Sequence, residues 1–242
     1  MTDIVQNFDR AAEGYEYHAA PQAALAATLA TWVPLEERHG LAIEFGAGTG
    51  LFTQRISPWE GPYLATDAAP HMVATGLQRC PQVAWKQHDA RDAKILGPAD
   101  WIFACNLLQW LENPEAVLSD WRNTLKPGGH LVLAVLLPET LCELREVLPE
   151  AQTLNWRKAE EWQEILERTG FSIVRAETWK HIQIYPSALD FLRAVHDLGL
   201  APQRLAGPGR LRAALRQYDR DFAITGGVRS TWQAWLAGAV AI

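Results

Sequence analysis

The sequence predicts an α/β domain built on a mostly parallel sheet of seven strands, with helices on both faces. From Leu41 onward, short apolar runs alternate with helix-forming stretches, as in consecutive strand–helix–strand units. The run at 101–108 is apolar almost throughout, which is typical of a strand that helices bury on both faces. Together these two observations favour a parallel sheet covered on both sides.

The first two thirds of the predicted elements follow in chain order. Residues 4–32 are rich in Ala, Leu and Gln and predict helices. The second of these helices begins at Pro21, because proline suits the first helical turn. The predicted parallel strands lie at 41–45, 62–67, 83–90, 101–108 and 130–137. The predicted helices between them begin near Leu51, Pro70 and Asn113.

The pattern changes after Pro138. Further helices are predicted at 140–148, 159–169, 187–198 and 210–222, and further strands at 171–179 and 232–242. We therefore predict a single domain over 1–242, with N-terminal helices (1–38), a sheet core (39–186 and 227–242) and a helical cap (187–226) before the last strand.

Charge and composition exclude several classes of protein. The formal net charge of −6 argues against a generic nucleic-acid-binding protein. The polar first ten residues are unlike a signal peptide, and no apolar stretch approaches the ~20 residues of a membrane span. The three cysteines are scattered without metal-binding spacing, which indicates reduced thiols. We expect a cytoplasmic protein with no nucleic-acid or membrane partner and no metal, and we leave its oligomeric state open.

A glycine-rich turn follows the first predicted strand. The segment from Glu44 to Gly50 reads EFGAGTG, and its alternate glycines let the backbone turn tightly and approach a ligand. The dinucleotide fingerprint G-x-G-x-x-G would place its third glycine at position 51, where this chain has Leu51. This spacing disfavours a nicotinamide oxidoreductase.

Polar residues also end the next three predicted strands. Asp67 is placed to accept hydrogen bonds from ribose hydroxyls, Asp89 from an adenine amine, and Asn106 follows the fourth strand. Ligands of open α/β sheets bind at the carboxyl ends of the strands. Each residue alone could be a helix cap, a turn residue or a loop residue. Together they predict one nucleoside-binding crevice.

These signals resemble the class I methyltransferases in their order along the chain. EFGAGTG resembles the first motif of that family, Asp67 its ribose-binding acid, and 125–129 (LKPGG) the loop before its fifth strand. The resemblance implies a Rossmann-like class I methyltransferase fold and S-adenosylmethionine as cofactor. It also implies that Glu44 reaches the amino-acid end of the cofactor, while Gly46 and Gly48 make room for it. The cofactor-binding residues predicted in this way are Tyr15, His18, Gln22, Glu44, Gly46, Ala47, Gly48, Gly50, Asp67, Ala68, Met72, Asp89, Ala90, Asn106 and Leu107.

Segments outside this core resemble BioC-type enzymes, the malonyl-acyl-carrier-protein O-methyltransferases of biotin synthesis. These segments are 8–22, 106–110 (NLLQW), 138–144, 191–199 and 226–232. The resemblance implies that the acceptor is the free carboxylate of a malonyl thioester on an acyl carrier protein. The chain departs from the family pattern at His196, Leu200 and Trp232, where lysine, alanine and tyrosine are expected.

A malonyl carboxylate is ionised at neutral pH, so its methylation needs no general base. It needs alignment and a dry site instead. Arg193 is the candidate for holding the carboxylate, since a guanidinium fork suits planar oxygens, and Tyr15 is expected to close the pocket. His18 and Gln22 share a helix face and could meet the cofactor's carboxylate end. Each of these four residues could instead have no functional role, as a surface side chain, a packing residue or a helix cap.

An acidic carrier protein would need a local basic surface on this acidic chain. Arg212, Arg216 and Arg220 recur every fourth residue, with Arg204 and Arg210 just before them. They could form a docking stripe on one helix face, or simply a solvated face. Arg193, His196 and Trp232 complete the predicted substrate or carrier contacts.

Two other functions remain open from the sequence. One is a methyltransferase for another small carboxylic acid or a quinone-like ring. A ring-carbon or phenol acceptor would more often need a base, for which His18 and His196 are the candidates. The other is a non-catalytic protein that binds the cofactor, which the intact glycines, Asp67 and Asp89 disfavour.

Overall fold

The computed structural model describes residues 2–93, 97–149, 156–200 and 207–242. The helices are α1 (Thr2–Ala11), α2 (Tyr15–His18), α3 (Ala20–Ala30), α4 (Leu51–Ile56), α5 (Pro70–Arg79), α6 (Pro114–Thr124), α7 (Cys142–Val147), α8 (Ala159–Arg168), α9 (Ala188–Asp197) and α10 (Pro208–Asp221), with 3₁₀ turns at Leu35–Glu37 and Leu108–Trp110. The strands are β1 (Ala42–Phe45), β2 (Tyr63–Asp67), β3 (Ala84–Gln87), β4 (Ala99–Cys105), β5 (Leu125–Leu136), β6 (Phe171–Tyr185), β7 (Ala223–Ile224) and β8 (Gly227–Ala241).

The strands form one sheet in the order β3-β2-β1-β4-β5-β8-β6, with the short β7 paired to β8. The first five strands in this order are parallel, and β8 lies antiparallel between β5 and β6. The order reverses between β1 and β4, the point at which open α/β sheets bind their ligands. The predicted α/β class, with a mostly parallel sheet and helices on both faces, is confirmed.

Alternating side chains of the central strands supply two apolar layers. Ile43 and Phe45 of β1 and Ile102 of β4 pack on one face, with the buried ring of Trp121 from α6 stacked on Phe45. Phe103 of β4 packs on the other face, against residues of α3 and α4. Because β1 and β4 are covered on both sides, their carboxyl ends are held in fixed positions.

The antiparallel part of the sheet is larger than predicted. β6 continues past the predicted end at 179 to Tyr185, and β8 begins at Gly227 rather than at 232. The two strands pair from Phe171 with Ala241 to Tyr185 with Val228. β6 is an edge strand with many exposed residues, so its outer half lacks the apolar run that marks a buried strand. β7 is an additional strand, and residues 126–129, expected in a loop, belong to β5.

The N-terminal region holds three helices, and the one predicted to begin at Pro21 is the third, α3, which begins at Ala20. α1 packs against α5, where the Asp9 carboxylate accepts hydrogen bonds from the His71 backbone N–H (2.8 Å) and contacts the ring Nδ1 (2.8 Å). α9 and α10, in the predicted cap, follow β6 and precede β7. Among the residues described, no helix is both long and apolar enough to cross a bilayer.

Candidate active site

A cavity opens at the carboxyl ends of β1, β2, β4 and β5, under the N-terminal helices. Its walls come from α1 to α3, from the loops after β1 to β4, and from the end of β5. The lining residues predicted from the sequence are Tyr15, Gln22, Glu44, Gly46, Ala47, Gly48, Asp67, Ala68, Met72, Asp89, Ala90, Asn106 and Leu107. The fold thus brings most of the predicted cofactor residues to one place.

The glycine-rich turn shapes one wall of this cavity. Gly46 (φ 67°) and Gly48 (φ 56°) both adopt left-handed backbone conformations that favour glycine. A Cβ at position 46 would lie 2.9 Å from the side chain of Leu107, so glycine lets the loops after β1 and β4 pack together. A Cβ at position 48 would have no heavy atom within 4 Å, which leaves that side of the turn open to a ligand.

Asp67 connects two loops at the end of β2. Its Oδ2 accepts a hydrogen bond from the Gly48 backbone N–H (2.9 Å), and its Oδ1 accepts one from the Ala69 N–H (2.9 Å). Burial raises the pKa of this carboxyl, against the lowering effect of those N–H groups. Since each carboxylate oxygen has two lone pairs, both can still accept hydroxyl groups such as those of a ribose.

Asp89, after β3, is held by a partner that the sequence did not suggest. Its Oδ1 accepts hydrogen bonds from the backbone N–H (3.0 Å) and from Nε (2.9 Å) of Arg91. The guanidinium hydrogen bond lowers the pKa of Asp89 despite partial burial. Asp89 therefore stays ionised, as an acceptor for an exocyclic amine must.

Glu44 is almost completely buried (1% exposed) at the floor of the cavity. Its Oε2 accepts hydrogen bonds from the Thr53 hydroxyl (2.7 Å) and the Tyr63 hydroxyl (2.7 Å). Burial raises the pKa of Glu44 to about 7, outweighing these two hydrogen bonds. The group can therefore change its charge near neutral pH when a cation approaches.

Three side-chain amides in the cavity wall carry polar atoms with no partner among the described residues. They are Oε1 of Gln22, Oδ1 of Asn106, and both Oε1 and Nε2 of Gln109. Gln22 and Gln109 are only 5% and 6% exposed. An unsatisfied buried polar group costs about 1–3 kcal/mol, so these amides indicate a cavity made for a ligand with several polar groups. S-adenosylmethionine, with its ribose, adenine and amino-acid groups, fits this set of donors and acceptors.

The rest of the wall is apolar. Phe8 of α1 packs edge-on against Tyr15 (6.4 Å between ring centroids) and Trp110 (5.3 Å), and Leu136 and Leu200 also line the cavity. Burial raises the pKa of Tyr15, so its phenol is neutral. These residues give the cavity a part from which water is excluded.

The helices above the cavity are tied to the core by polar contacts. Oε1 of Glu16 accepts a hydrogen bond from the Thr49 hydroxyl (2.9 Å), and Oε2 pairs with Arg79. His18 pairs with Asp197 of α9 (3.2 Å). His18 thus joins α2 to the cap and is not among the residues that line the cavity. Gly50 also lies outside the lining, next to Cys80 and Trp85.

Arg193, predicted to hold the substrate carboxylate, does not line the cavity. Its side chain is 64% exposed and pairs with Asp190 (3.6 Å) one helical turn away. α9 turns Phe191 and Val195 into the core, so Arg193 faces the surface. Arg193 therefore lies apart from the residues that line the cavity.

The remaining predicted substrate contacts also lie away from the cavity. His196 is exposed beside Asp197, and Trp232 is buried in β8. Arg212, Arg216 and Arg220 are exposed on α10, while Arg204 lies outside the described residues. Arg210 donates a hydrogen bond to the Val147 carbonyl (2.9 Å).

Thr53, Tyr63 and Gln109 were missed as site residues. Gln109 lies within the NLLQW segment that resembles the BioC pattern, so the signal was present for that residue. Thr53 and Tyr63 carry no comparable signal in the sequence.

Comparison with known proteins agrees with this geometry. Residues 43–131 match the methyltransferase domain family. The chain is 28% identical to a malonyl-[acyl-carrier protein] O-methyltransferase of Paenibacillus sp. (strain JDR-2), over 97% of this chain and 96% of that protein. The chain therefore contains a methyltransferase domain, and over nearly its whole length it is similar to BioC-type enzymes. This methyltransferase is also 31% identical to the biotin biosynthesis bifunctional protein BioCD of Bordetella avium, over 91% of its own length and 49% of that larger relative.

Solved structures share the fold of the methyltransferase at low sequence identity. The YcgJ protein of Bacillus subtilis matches with a TM-score of 0.66 and 13% identity, over 90% of this chain and 98% of that one. Magnesium protoporphyrin IX methyltransferase of Synechocystis PCC 6803, solved with bound S-adenosylmethionine, matches with a TM-score of 0.55 and 14% identity, over 91% and 79% of the two chains.

Proposed function

We propose that the enzyme transfers a methyl group from S-adenosylmethionine to the free carboxylate of a malonyl thioester carried by an acyl carrier protein. The observation that carries this proposal is the alignment with malonyl-[acyl-carrier protein] O-methyltransferases over nearly the whole of both chains. The alignment includes the N-terminal helices and the cap, which supply Phe8, Tyr15 and Leu200 to the apolar part of the cavity.

Methylation of a carboxylate requires no proton transfer by the protein. When bound, the cofactor supplies a sulfonium methyl group, which the carboxylate oxygen attacks while the electrons of the breaking C–S bond stay on sulfur. No proton needs to move, because the carboxylate of the acceptor is already ionised at neutral pH.

The charges in the cavity suit this substrate pair. Glu44, Asp67 and Asp89 line the side predicted for the cofactor, and carboxylates there would favour a cationic sulfonium compound over its neutral thioether product. Phe8, Tyr15 and the nearby leucines would exclude water and hold the acceptor in line with the methyl group.

The carrier protein is proposed to dock through the exposed arginines of α10. Arg212 donates from Nε to the Pro208 carbonyl of its own helix (3.2 Å), and Arg220 pairs with Asp221 (2.8 Å). These arginines do not line the cavity, so their proposed contribution is to steer an acidic partner rather than to contact the malonyl group. A cytoplasmic location remains a prediction.

The test is a methyl-transfer assay with labelled cofactor and three acceptors: malonyl-acyl carrier protein, malonyl-coenzyme A and free malonate. We expect a base-labile methyl ester on the malonyl thioesters, with the carrier-linked form preferred. Asp67→Ala is the control, because it removes a predicted cofactor contact and should abolish ester formation with every acceptor. Absence of ester on both thioesters, in a protein that binds the cofactor by calorimetry, would reject the proposed substrate.

A further inference from the structure

We propose that the side-chain amide of Gln109 positions the acceptor carboxylate, so that a neutral N–H donor rather than a cationic side chain holds the nucleophile. This inference rests on the proposed function, in that it takes a carboxylate as the methyl acceptor. It also replaces Arg193, which the fold places on the surface.

The side-chain amide of Gln109 is buried without hydrogen-bond partners among the described residues. It lies in the 3₁₀ turn Leu108–Trp110 directly after β4 and is 94% buried, since only 6% of it is exposed. Neither Oε1 nor Nε2 has a hydrogen-bond partner among the residues described. An amide offers two N–H donors and one acceptor, and leaving them unsatisfied in a buried site destabilises the free protein.

The neighbours of Gln109 keep its amide from turning outward. Leu108 is fully buried in the apolar layer around Trp121, and Trp110 packs edge-on against Phe8 of α1. The turn is therefore fixed at both ends. Its central side chain lines the cavity, and a bound molecule is what can satisfy it there.

Packing within the cavity favours the acceptor over the cofactor as the partner of Gln109. The predicted cofactor contacts Glu44 and Asp67 lie at or near the ends of β1 and β2, Asp89 follows β3, and Asn106 and Leu107 begin the loop after β4. The 3₁₀ turn that holds Gln109 comes later in that loop and packs against β5. Gln109 is next to Trp110, in the apolar wall where the reacting carboxylate would be kept dry.

The charges of the cavity wall also favour Gln109 as the group that holds the acceptor. Glu44, Asp67 and Asp89 make the cavity wall acidic, and its described part contains no lysine or arginine. Its histidine, His88, is engaged through Nε2 with the Asp92 carbonyl. An anionic acceptor must then be held by neutral donors, of which the Gln109 amide is the most completely unsatisfied.

A neutral donor also suits the chemistry. The acceptor carboxylate loses its negative charge as the ester forms, so a tightly paired cation would stabilise the ground state more than the transition state. One N–H···O bond from Gln109 to one carboxylate oxygen would fix orientation and leave the second oxygen free to attack.

The test uses two substitutions in the full-length enzyme, Gln109→Met and Gln109→Glu. Methionine keeps the length of the side chain and removes its polar atoms. We expect Gln109→Met to raise KM for the malonyl thioester about tenfold or more, as loss of a ground-state contact does, with kcat less affected and the calorimetric Kd for cofactor within about twofold. Gln22→Leu is the matched control, because this second buried amide is predicted to contact the cofactor and should weaken cofactor binding instead.

The pH dependence of KM in Gln109→Glu distinguishes contact with the substrate from a purely structural role of this side chain. Its carboxyl would repel the substrate when ionised and donate a hydrogen bond when protonated. The ratio of variant to wild-type KM should therefore grow between pH 5.5 and pH 8. Gln109→Met also removes buried polar atoms that have no hydrogen-bond partner. The melting temperature of the ligand-free variant should therefore equal or exceed that of the wild type.

An unchanged KM in Gln109→Met, or a loss of cofactor affinity as large as the rise in KM, would overturn the assignment while leaving the proposed function intact. If the wild type esterifies a different carboxylic acid, the same comparison with that acid decides the role of Gln109. A wild-type enzyme that methylates no carboxylate at all would overturn both proposals.

Discussion

At the residue scale, the buried carboxyl of Glu44 links protonation to binding. Burial raises its pKa to about 7, although Thr53 and Tyr63 both donate hydrogen bonds to it. S-adenosylmethionine carries positive charge on its sulfonium and ammonium groups, and a nearby positive charge favours the ionised carboxylate. Glu44 is therefore expected to release a proton as the cofactor binds.

Calorimetric titration of cofactor at pH 7, in buffers that differ in ionisation enthalpy, measures this release directly. We expect about half a proton for the wild type, since a group with a pKa near the working pH is about half protonated before binding. Glu44→Gln keeps an acceptor for both hydroxyls but cannot titrate. Proton release that is the same in both proteins would show that another group is responsible.

The same carboxyl should affect stability in the absence of cofactor. Its pKa in the folded protein lies above the ordinary value of 4.5, so the folded state binds more protons than the unfolded state between about pH 4.5 and pH 7. The free energy of unfolding should fall as pH rises through that range, by on the order of 3 kcal/mol from Glu44. Denaturant titrations should show a smaller fall for Glu44→Gln, and identical profiles would contradict the raised pKa.

The residue scale also shows where sequence reasoning stops. Asp67 could be predicted as a site residue because it ends a strand, and Glu44 because the segment EFGAGTG resembles the first motif of the family. The hydrogen bond from Tyr63 to Glu44 depends on strand register, since Ala65 faces Glu44 and Tyr63 lies two residues earlier on the same side of β2. Arg193 lies on the surface because α9 buries its opposite face, and helical periodicity in a sequence does not say which face the core will bury.

At the element scale, α1 and α2 form a cover over the cavity. Their side chains supply Val5, Phe8 and Tyr15 to its wall, and their outer contacts to the core are polar. Glu16 joins α2 both to Thr49, within the glycine-rich turn, and to Arg79 of α5. Partly exposed pairs of this kind contribute about 0–1 kcal/mol each, so the cover can open without unfolding the sheet.

Glu16→Ala should loosen this cover. We expect cofactor dissociation, followed by stopped-flow fluorescence, to become about three- to tenfold faster, with the melting temperature nearly unchanged. Glu164→Ala is the matched control, because it removes a surface ion pair with Arg168 (3.7 Å) within α8. Equal dissociation rates in wild type and Glu16→Ala would show that this contact does not hold the cover.

Elements differ in how far the sequence determines them. The parallel strands β1 and β2 were predicted to within one residue, because burial on both faces leaves a mostly apolar run. β4 was also found, but its predicted bounds of 101–108 lie two to three residues too late. The outer halves of β6 and β8 were not, because they are stabilised mainly by pairing with each other at the exposed edge of the sheet. That pairing involves residues far apart in the chain, which local pattern does not report.

At the scale of the whole molecule, charge is unevenly distributed. The chain has a net charge of −6, with carboxylates in the cavity wall and exposed arginines on α10. An acidic carrier protein would be repelled by most of the surface and attracted by that helix. Such an arrangement would affect the rate of encounter more than the chemistry that follows.

Arg216→Glu should therefore lower kcat/KM for malonyl-acyl carrier protein about three- to tenfold at low salt, and less at high salt. Activity on malonyl-coenzyme A should stay within about twofold, because α10 does not line the cavity. Lys180→Glu, on the exposed edge strand β6, makes the same change in charge and controls for net charge. Equal losses on both thioesters would exclude docking through α10.

The position of β8 has a consequence for synthesis on the ribosome. β6 joins the sheet only by pairing with β8, and β8 is also the partner of β5. A nascent chain that ends before Gly227 would have the five parallel strands in place but an unpaired edge along β5, together with a β6 that has nothing to dock on. Unpaired strand edges of this kind invite association with other chains. Chains truncated within 186–226 are therefore expected to aggregate more than chains that contain β8.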